Sequence, residues 1–527
     1  MEMSFSNLVE LKTFNVFPEY FVGISVLYIL IVIILISYNV YGLIIQKALS
    51  ECIGLTLLLT CYLILNDDLM IGQQGFELYS TLGFYKSFVT DFFASFTKFV
   101  VCFFSAFYFF LIADFLKEYK VTSFEYLLFL SLAVLGLMLL CSSNDLLTAY
   151  LAIELVSLSS YVLAAFKKTS NYSAEAGVKY LITGAISSAF FLLGSSFIYA
   201  YSGTVNLTDL GFILFDQTWF CLTEHSSSAI TSTIDFNDLL KPFLEIGLGF
   251  ILFSLFIKLA LAPFHVWSLD VYEGSPTTST FFFAVIAKLS FFVFLTRISY
   301  LAVFLYHDTW QFYAMFVALF SVFVGSFGGL RQRKLKTLLA YSSVSHMGYS
   351  LLAFSSGTRF GVEMLLFYLV IYILSGLGVW FVILGTKINR KRYTDKFSKE
   401  LGDLVLLRKS NPALALSFTF TMFSIAGIPP LIGFFSKMGI FLSVLHAKYY
   451  LLALLAILCS VVSTFYYLRI IKLLYFENLL IGKLYYPLTS SKTILFSFLI
   501  LSLVFLFTNP TFLYLIVYKA VISSFVV

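Results

Sequence analysis

Apolar stretches long enough to cross a bilayer recur at about 18–38, 48–66, 93–116, 123–141, 146–166, 174–201, 243–272, 278–305, 310–330, 337–356, 363–386, 412–446, 448–474 and 492–518. A spanning helix takes roughly 20 residues, so the pattern predicts an all-α polytopic membrane protein with about fourteen transmembrane helices. With 60% hydrophobic residues and a mean hydropathy of +0.95, the chain carries more apolar surface than a water-soluble core of 527 residues hides. Pro263 in the seventh run, and Gly427, Pro429 and Pro430 in the twelfth, predict two broken helices. The first run lacks a basic n-region and a small-residue cleavage site, so it reads as a retained span.

Charge placement supports this count. Of 33 Lys and Arg residues, 21 lie in or beside loops that follow odd-numbered runs, including Lys117, Lys120, Lys167, Lys168, the Arg331–Lys336 cluster and the stretch from Lys387 to Lys409. Only Lys12, Lys86, Lys241, Arg359, Lys448 and Lys519 lie on the even side, where several Asp and Glu residues gather. By the positive-inside rule the odd loops face cytoplasm or matrix and both termini lie opposite. The net charge of +5 is dispersed instead of forming a basic face, which excludes nucleic acid as an expected partner. The six cysteines are isolated and form no metal-ligand pattern.

The remaining cations, Lys98, Lys179, Lys258, Lys288, Arg297 and Lys437, fall inside apolar runs together with Glu154 and His346. A charge at mid-bilayer costs at least about 2.5–3.5 kcal/mol, so each needs a partner, water or a function. Glu154 is central in its run, with serines at 157, 159 and 160 offering a polar face; a protonated carboxylate packed in a helix is the alternative. Lys258 precedes Pro263 and Lys437 follows Pro430, so each stands near an unwound turn. Lys288 has no acidic residue within one helical turn, which suits a lysine that releases and regains a proton. Lys179, with Glu175 at i−4, reads equally as a structural ion pair. His346 lies on a polar face with Tyr341, Ser342, Ser343, Ser345 and Tyr349; a proton relay is favoured over a hydrogen-bonded core histidine. Lys98 and Arg297 lie near run ends and read as structural. Breaks five runs apart suggest two inverted five-helix repeats, with unwound segments marking the working site.

The stretches FIKLALAPFHVWSLDVYEGSPT (256–277), LKTLLAYSSVSHMGY (335–349) and SNPALALSFTFTMFSIAGIPPLIGFFSK (410–437) closely resemble the subunit 2 family of respiratory complex I, NADH:ubiquinone oxidoreductase. The resemblance covers about 120–475 and implies fourteen helices, inverted repeats of helices 4–8 and 9–13, and broken helices 7 and 12. It implies a proton path in which Glu154 pairs with Lys258, with Lys179, Lys288, Lys437 and the polar position His346 along it. Lysine at 437 and the motif DVYEG at 270–274 favour subunit 2 over the sister subunit 4 family. The implied organisation is a three-helix segment at 1–120, a first repeat at 121–308, a second at 309–475 and a last helix at 476–527. A polar loop at about 203–242 is longer than the family needs and is expected to carry contacts to neighbouring subunits.

No cofactor or metal is expected on this chain. NADH, FMN, iron–sulfur clusters and ubiquinone are implied in partner subunits, and the expected partners are other membrane-arm subunits of complex I and the lipid bilayer. The resemblance implies a mitochondrial inner membrane with both termini on the intermembrane-space side. Two other readings share the fold: a subunit of a multisubunit cation/proton antiporter, and a non-pumping scaffold in the same complex.

Overall fold

The computed structural model describes residues 17–36, 42–73, 81–84, 86–118, 123–168, 170–224, 236–389, 396–397, 400–405, 407–477, 484–485 and 490–525. Residues 1–16, part of the expected N-terminal segment, and 225–235, part of the expected polar loop, lie outside the described residues.

The helices are α1 (Phe17–Ile36), α2 (Gly42–Gln73), α3 (Phe92–Ile112), α4 (Glu125–Ser142), α5 (Leu146–Ala165), α6 (Asn171–Ser202), α7 (Leu207–Glu224), α8 (Phe236–Lys258), α9 (Val266–Gly274), α10 (Thr277–Val285) and α11 (Ala287–Arg297). They continue as α12 (His307–Gly329), α13 (Leu335–Phe354), α14 (Arg359–Gly385), α15 (Pro412–Ala426), α16 (Ile432–His446), α17 (Tyr450–Tyr475), α18 (Ser490–Thr508) and α19 (Pro510–Phe525). Short antiparallel strands pair Thr81–Gly83 with Phe88–Thr90, and Lys387–Asn389 with both Lys396–Phe397 and Leu484–Tyr485.

Among the described residues ten helices are long and apolar enough to cross a membrane, or eleven if the bent pair α18–α19 forms one span. The chain is therefore a polytopic helical membrane protein. The three other apolar runs are the ones that carry Lys258, His346 and Lys437: two are interrupted, and α13 is diluted by serine, tyrosine and histidine.

Burial places α14 at the centre, since its apolar window is fully buried, whereas α1 is mostly exposed along one side. α6 and α8 pack through Gly194 and Gly247. A Cβ at Gly194 would lie 2.6 Å from the Gly247 carbonyl oxygen, so small residues set this backbone approach.

Two sequence expectations change. The run 492–518 is not one straight span: α18 and α19 meet at 84°, because Pro510 opens α19 and cannot continue the α18 hydrogen-bond ladder. The expected polar loop at 203–242 contains α7. The Asn206 side chain caps its first turn by accepting from the Thr208 N–H at 3.1 Å. Leu207, Leu210 and Leu214 form its buried face at helical spacing, and α7 packs against residues 298–302.

Buried ion pairs tie the N-terminal helices to the rest. Glu19 on α1 pairs with Lys98 on α3. Asp91 accepts from the Ala94 N–H, opening α3, and also pairs with Arg297 at 2.6 Å.

Candidate functional site

The first interruption ends α8 at Lys258. Trp267 on α9 donates its indole N–H to the freed Ile257 carbonyl at 2.9 Å, and the Leu261 N–H bonds Phe256 across the break. The Lys258 ammonium leaves its helix and donates to the Tyr161 hydroxyl on α5 at 3.3 Å. Glu154 lies two turns before Tyr161 on α5 and is half-buried. One of its oxygens accepts from Ser157 Oγ at 3.1 Å, while the other has no hydrogen-bond partner among the described residues. Glu154 and Lys258 therefore do not meet in a direct ion pair within 4 Å here: the lysine is turned to Tyr161 and the carboxylate to its own helix. A cavity of about 20 Å³ lies beside Lys258, lined by Ser157, Ser160, Tyr180, Lys258 and Lys288 among others. That volume accommodates a water molecule between the two lysines.

Lys288 is 5% exposed in the first turn of α11. Its ammonium has no hydrogen-bond partner among the described residues and lies 5.8 Å from the Tyr372 ring centroid on α14. The same ring is 5.3 Å from the His346 imidazole. His346 is 4% exposed on α13, with Nδ1 at 2.5 Å from the Tyr368 hydroxyl and Nε2 at 2.9 Å from the Tyr467 hydroxyl. The Tyr349 ring lies 6.4 Å from the same imidazole.

The second interruption supplies the partner of Lys437. Asn411 caps α15 by accepting from the Leu414 N–H at 3.1 Å, and the helix stops at Gly427, whose φ of 79° is left-handed. The Lys437 ammonium donates to the Ala426 carbonyl at 2.7 Å, within the unsatisfied end of α15. A Cβ at Gly427 would lie 2.6 Å from Lys437 Cδ, so glycine is required for both its backbone and the lysine's path. Lys437 is 6% exposed and its ammonium lies 5.5 Å from the Tyr349 ring.

Lys179 stands apart. Its side chain is 43% exposed and pairs with Glu175 at 2.8 Å and Asp270 at 2.6 Å. Asp270 belongs to the DVYEG stretch, as does Glu273, which pairs with Lys334 of the basic cluster. That carboxylate holds the Lys334 ammonium above its ordinary value.

The structure thus brings Lys258, Lys288, His346 and Lys437 into one series, half-buried at Lys258 and buried at the other three, with Glu154 at its edge and Lys179 outside. Sequence reading missed the tyrosines that fill the intervals. Tyr368 and Tyr372 were detectable as an i, i+4 pair on one face of an otherwise aliphatic run. Tyr161 and Tyr467 belong to other helices, and nothing local marks them. Among the described residues no group of three His, Cys, Asp or Glu side chains forms a metal site. A row of buried amines, an imidazole and phenols is suited to passing protons, since each can hold and release one.

The match to known proteins spans most of the chain. Residues 143–463 fit the family described as NADH:quinone oxidoreductase/Mrp antiporter, TM. NADH-ubiquinone oxidoreductase chain 2 of Marchantia polymorpha is 37% identical over 82% of this chain and 84% of its own length. NADH-quinone oxidoreductase subunit N of Pelagibacter ubique is 33% identical over 88% of this chain and 89% of its own. A chain of respiratory complex I from Thermus thermophilus with bound aureothin superposes with a TM-score of 0.73 at 24% identity, covering 94% of this chain and 98% of that one. A chain of the Mrp complex from Dietzia sp. shares the fold at a TM-score of 0.77 and 17% identity, covering 98% of each. By the family match and the extent of these identities, the chain belongs to the NADH:quinone oxidoreductase/Mrp antiporter transmembrane family, among its chain 2 and subunit N members.

Proposed function

We propose that this chain is a proton-translocating membrane-arm subunit of an NADH:quinone oxidoreductase, driven by electron transfer to quinone in partner subunits that carry NADH, FMN, iron–sulfur clusters and ubiquinone. The observation that carries this reading is the series itself: Lys258 and Lys288 share a cavity, and the Tyr372 ring beside Lys288 and the Tyr349 ring beside Lys437 lie 5.3 and 6.4 Å from the His346 imidazole. The series gives a route along the membrane plane with no redox group needed on the chain.

In this reading protons are held on Lys258, Lys288 and Lys437, and Glu154 acts as the switch. The Lys258 ammonium exchanges its hydroxyl partner on Tyr161 for the Glu154 carboxylate in another stage of the cycle. At an effective dielectric of about 20, two charges about 4 Å apart interact by roughly 4 kcal/mol. Making and breaking that contact therefore favours capture and then release of a proton at Lys258. His346 links the two halves, and Lys179, held by Asp270 and Glu175, contributes charge at the rim.

The topology proposed with it has fourteen crossings. The three runs carrying Lys258, His346 and Lys437 also cross, stabilised by burial against their neighbours. Helices 4–8 and 9–13 form inverted repeats, within 121–308 and 309–475, flanked by 1–120 and 476–527. The membrane is the mitochondrial inner membrane, with the basic loops in the matrix and both termini in the intermembrane space. Neighbouring antiporter-like and small membrane subunits are the proposed contacts.

The high identity to chain 2 and subunit N relatives favours this function over cation/proton antiport, for which the Mrp likeness supports the fold alone. The deciding experiment purifies the native assembly and measures NADH oxidation with rotenone-type sensitivity together with proton uptake by sealed membranes. Sodium-dependent exchange without NADH oxidation would establish the antiporter instead. Normal proton stoichiometry after neutralising Lys258, Lys288 and Lys437 in an assembled complex would leave a scaffold. Label access to the Arg331–Lys336 loop from the intermembrane-space side would overturn the topology.

A further inference from the structure

His346 has an unusual setting for a buried histidine. Both ring nitrogens are engaged by phenol hydroxyls, and the two phenols come from different helices, Tyr368 on α14 and Tyr467 on α17. A neutral imidazole carries one N–H and one bare nitrogen, whereas a phenol can both donate and accept. One tyrosine therefore donates to the ring while the other accepts from it, and exchanging the tautomer reverses both bonds. Tyr372, although closer to Lys288 in ring contact, has its hydroxyl bonded to the Ala284 carbonyl at 3.0 Å. Tyr368 is the phenol one turn away whose hydroxyl faces the imidazole. On the other side Tyr467 packs against Tyr466 with ring centroids 4.4 Å apart. The hydroxyls of Tyr466 and Tyr349 and the Oγ of Ser424 are buried with no hydrogen-bond partner among the described residues. Buried polar atoms of this kind are ordinarily satisfied by ordered water, and Tyr349 lies beneath the Lys437 ammonium.

We propose that Tyr368 and Tyr467 are relay residues that carry a proton through His346 by tautomer exchange and so join the Lys288 and Lys437 ends of the path, an inference that rests on the proton-path reading above. In one passage the Tyr368 hydroxyl gives its proton to Nδ1. The proton on Nε2 passes to the Tyr467 oxygen, and Tyr467 releases its own phenolic proton toward Lys437 through the hydroxyls of Tyr466 and Tyr349 and water bound to them. Tyr368 regains a proton that originates on the Lys288 ammonium. Each O–H or N–H bond broken is matched by one formed, so the net change is one proton moved from Lys288 to Lys437. Rotation of the two phenol hydroxyls and reorientation of the imidazole, which turns its protonated nitrogen toward Tyr467 and its bare nitrogen toward Tyr368, restore the starting arrangement without returning the proton.

The test compares protons taken up per NADH oxidised in sealed membranes, at matched amounts of assembled complex. The variants are Tyr368→Phe, Tyr467→Phe, the double variant and His346→Gln, with Lys437→Ala as the arm that tests the underlying path. Each Tyr→Phe change removes one oxygen and leaves the ring in place. A relay in series fails at either link, so each single variant lowers the proton ratio by roughly tenfold or more, and the double is no worse than the lower single. A static clamp predicts nearly silent singles and a damaging double, and that pattern overturns the relay. Glutamine at 346 keeps a donor and an acceptor for the two phenols but cannot exchange tautomers. Its expected result is an assembled complex with the same roughly tenfold loss, and full pumping overturns the proposal even where a tyrosine variant does not assemble. Normal pumping by Lys437→Ala refutes the underlying path, whereas loss there with normal pumping in the tyrosine and glutamine variants refutes the relay alone.

Discussion

At the first interruption Lys258 is the last residue of α8, and its ammonium leaves the helix for a phenol on α5. At the second, Lys437 stands in the second turn of α16 and reaches back to a carbonyl at the end of α15. At the first break the Ile257 carbonyl is taken by Trp267 and the Ala260 N–H, so Lys258 finds its partner on another helix. The second break offers its carbonyl directly, and Gly427 leaves just enough room for the lysine chain to get there. The same device, a lysine beside an unwound turn, thus yields a long bond to a side chain of another helix near Glu154 and a short bond to a backbone carbonyl at the far end of the series. The proposed switch lies at the first and the proposed holding site at the second.

The largest effect that would test this contrast comes from the two lysines. Lys437→Ala is expected to abolish most proton uptake while the complex assembles, because its ammonium is the group that bonds the Ala426 carbonyl at the end of α15. Lys258→Ala should also assemble and lose much of its coupled activity. Wild-type turnover and uptake in either variant would break the comparison.

Next is Gly427→Ala. A non-glycine residue in the left-handed region costs about 1–2 kcal/mol, and here its Cβ would also displace Lys437. Reduced amounts of assembled complex and reduced pumping are expected. Gly249→Ala near the first break serves as the contrast, since a Cβ there meets nothing within 4 Å. Equal losses in both would show that the second break is no tighter than the first.

The switch is sharpened by moving its carboxylate. Glu154→Gln should lower NADH-driven proton uptake, and adding Ser157→Glu should restore part of it, because Ser157 lines the cavity shared with Lys258 and Lys288. Adding Leu158→Glu should not, since Leu158 is exposed on the outer face and a charge there carries the cost of a lipid-facing acid. Rescue from 158 but not 157 would place the switch outside this cavity.

The smallest effect is expected from Tyr161→Phe, which removes the present partner of Lys258 without removing a charge. Losing a hydrogen bond of this kind is worth about 0.5–1.5 kcal/mol, so pumping should change by a few-fold at most. A loss as large as that of Lys258→Ala would make Tyr161 an obligatory carrier and not a resting partner.

Much of this site was legible because membranes penalise polar residues so heavily that each one within an apolar run stands out. Lys258, Lys288, His346 and Lys437 were all found in that way, and the breakers at Pro263 and at 427–430 marked the unwound turns. Lys179 stood out for the same reason yet lies at an exposed ion cluster, since run position alone does not tell a buried axis from a rim. Tyr161, Tyr368, Tyr372 and Tyr467 do not stand out in the sequence because an aromatic ring with one hydroxyl is compatible with both lipid and core. The helix Leu207–Glu224 was read as loop because polar residues dilute the buried leucine face that its spacing nonetheless encodes.

By itself the sequence determined the membrane class, the approximate run boundaries, the two interruptions and the identity of the buried ionisable residues, because these follow from hydropathy and from the backbone chemistry of proline and glycine. Tertiary structure alone decided the partners. Tyr161 for Lys258, Tyr368 and Tyr467 for His346, Glu19 for Lys98 and Asp91 for Arg297 all come from distant parts of the chain. No local pattern encodes such pairings, since they depend on how rigid helices pack and which faces that packing turns together.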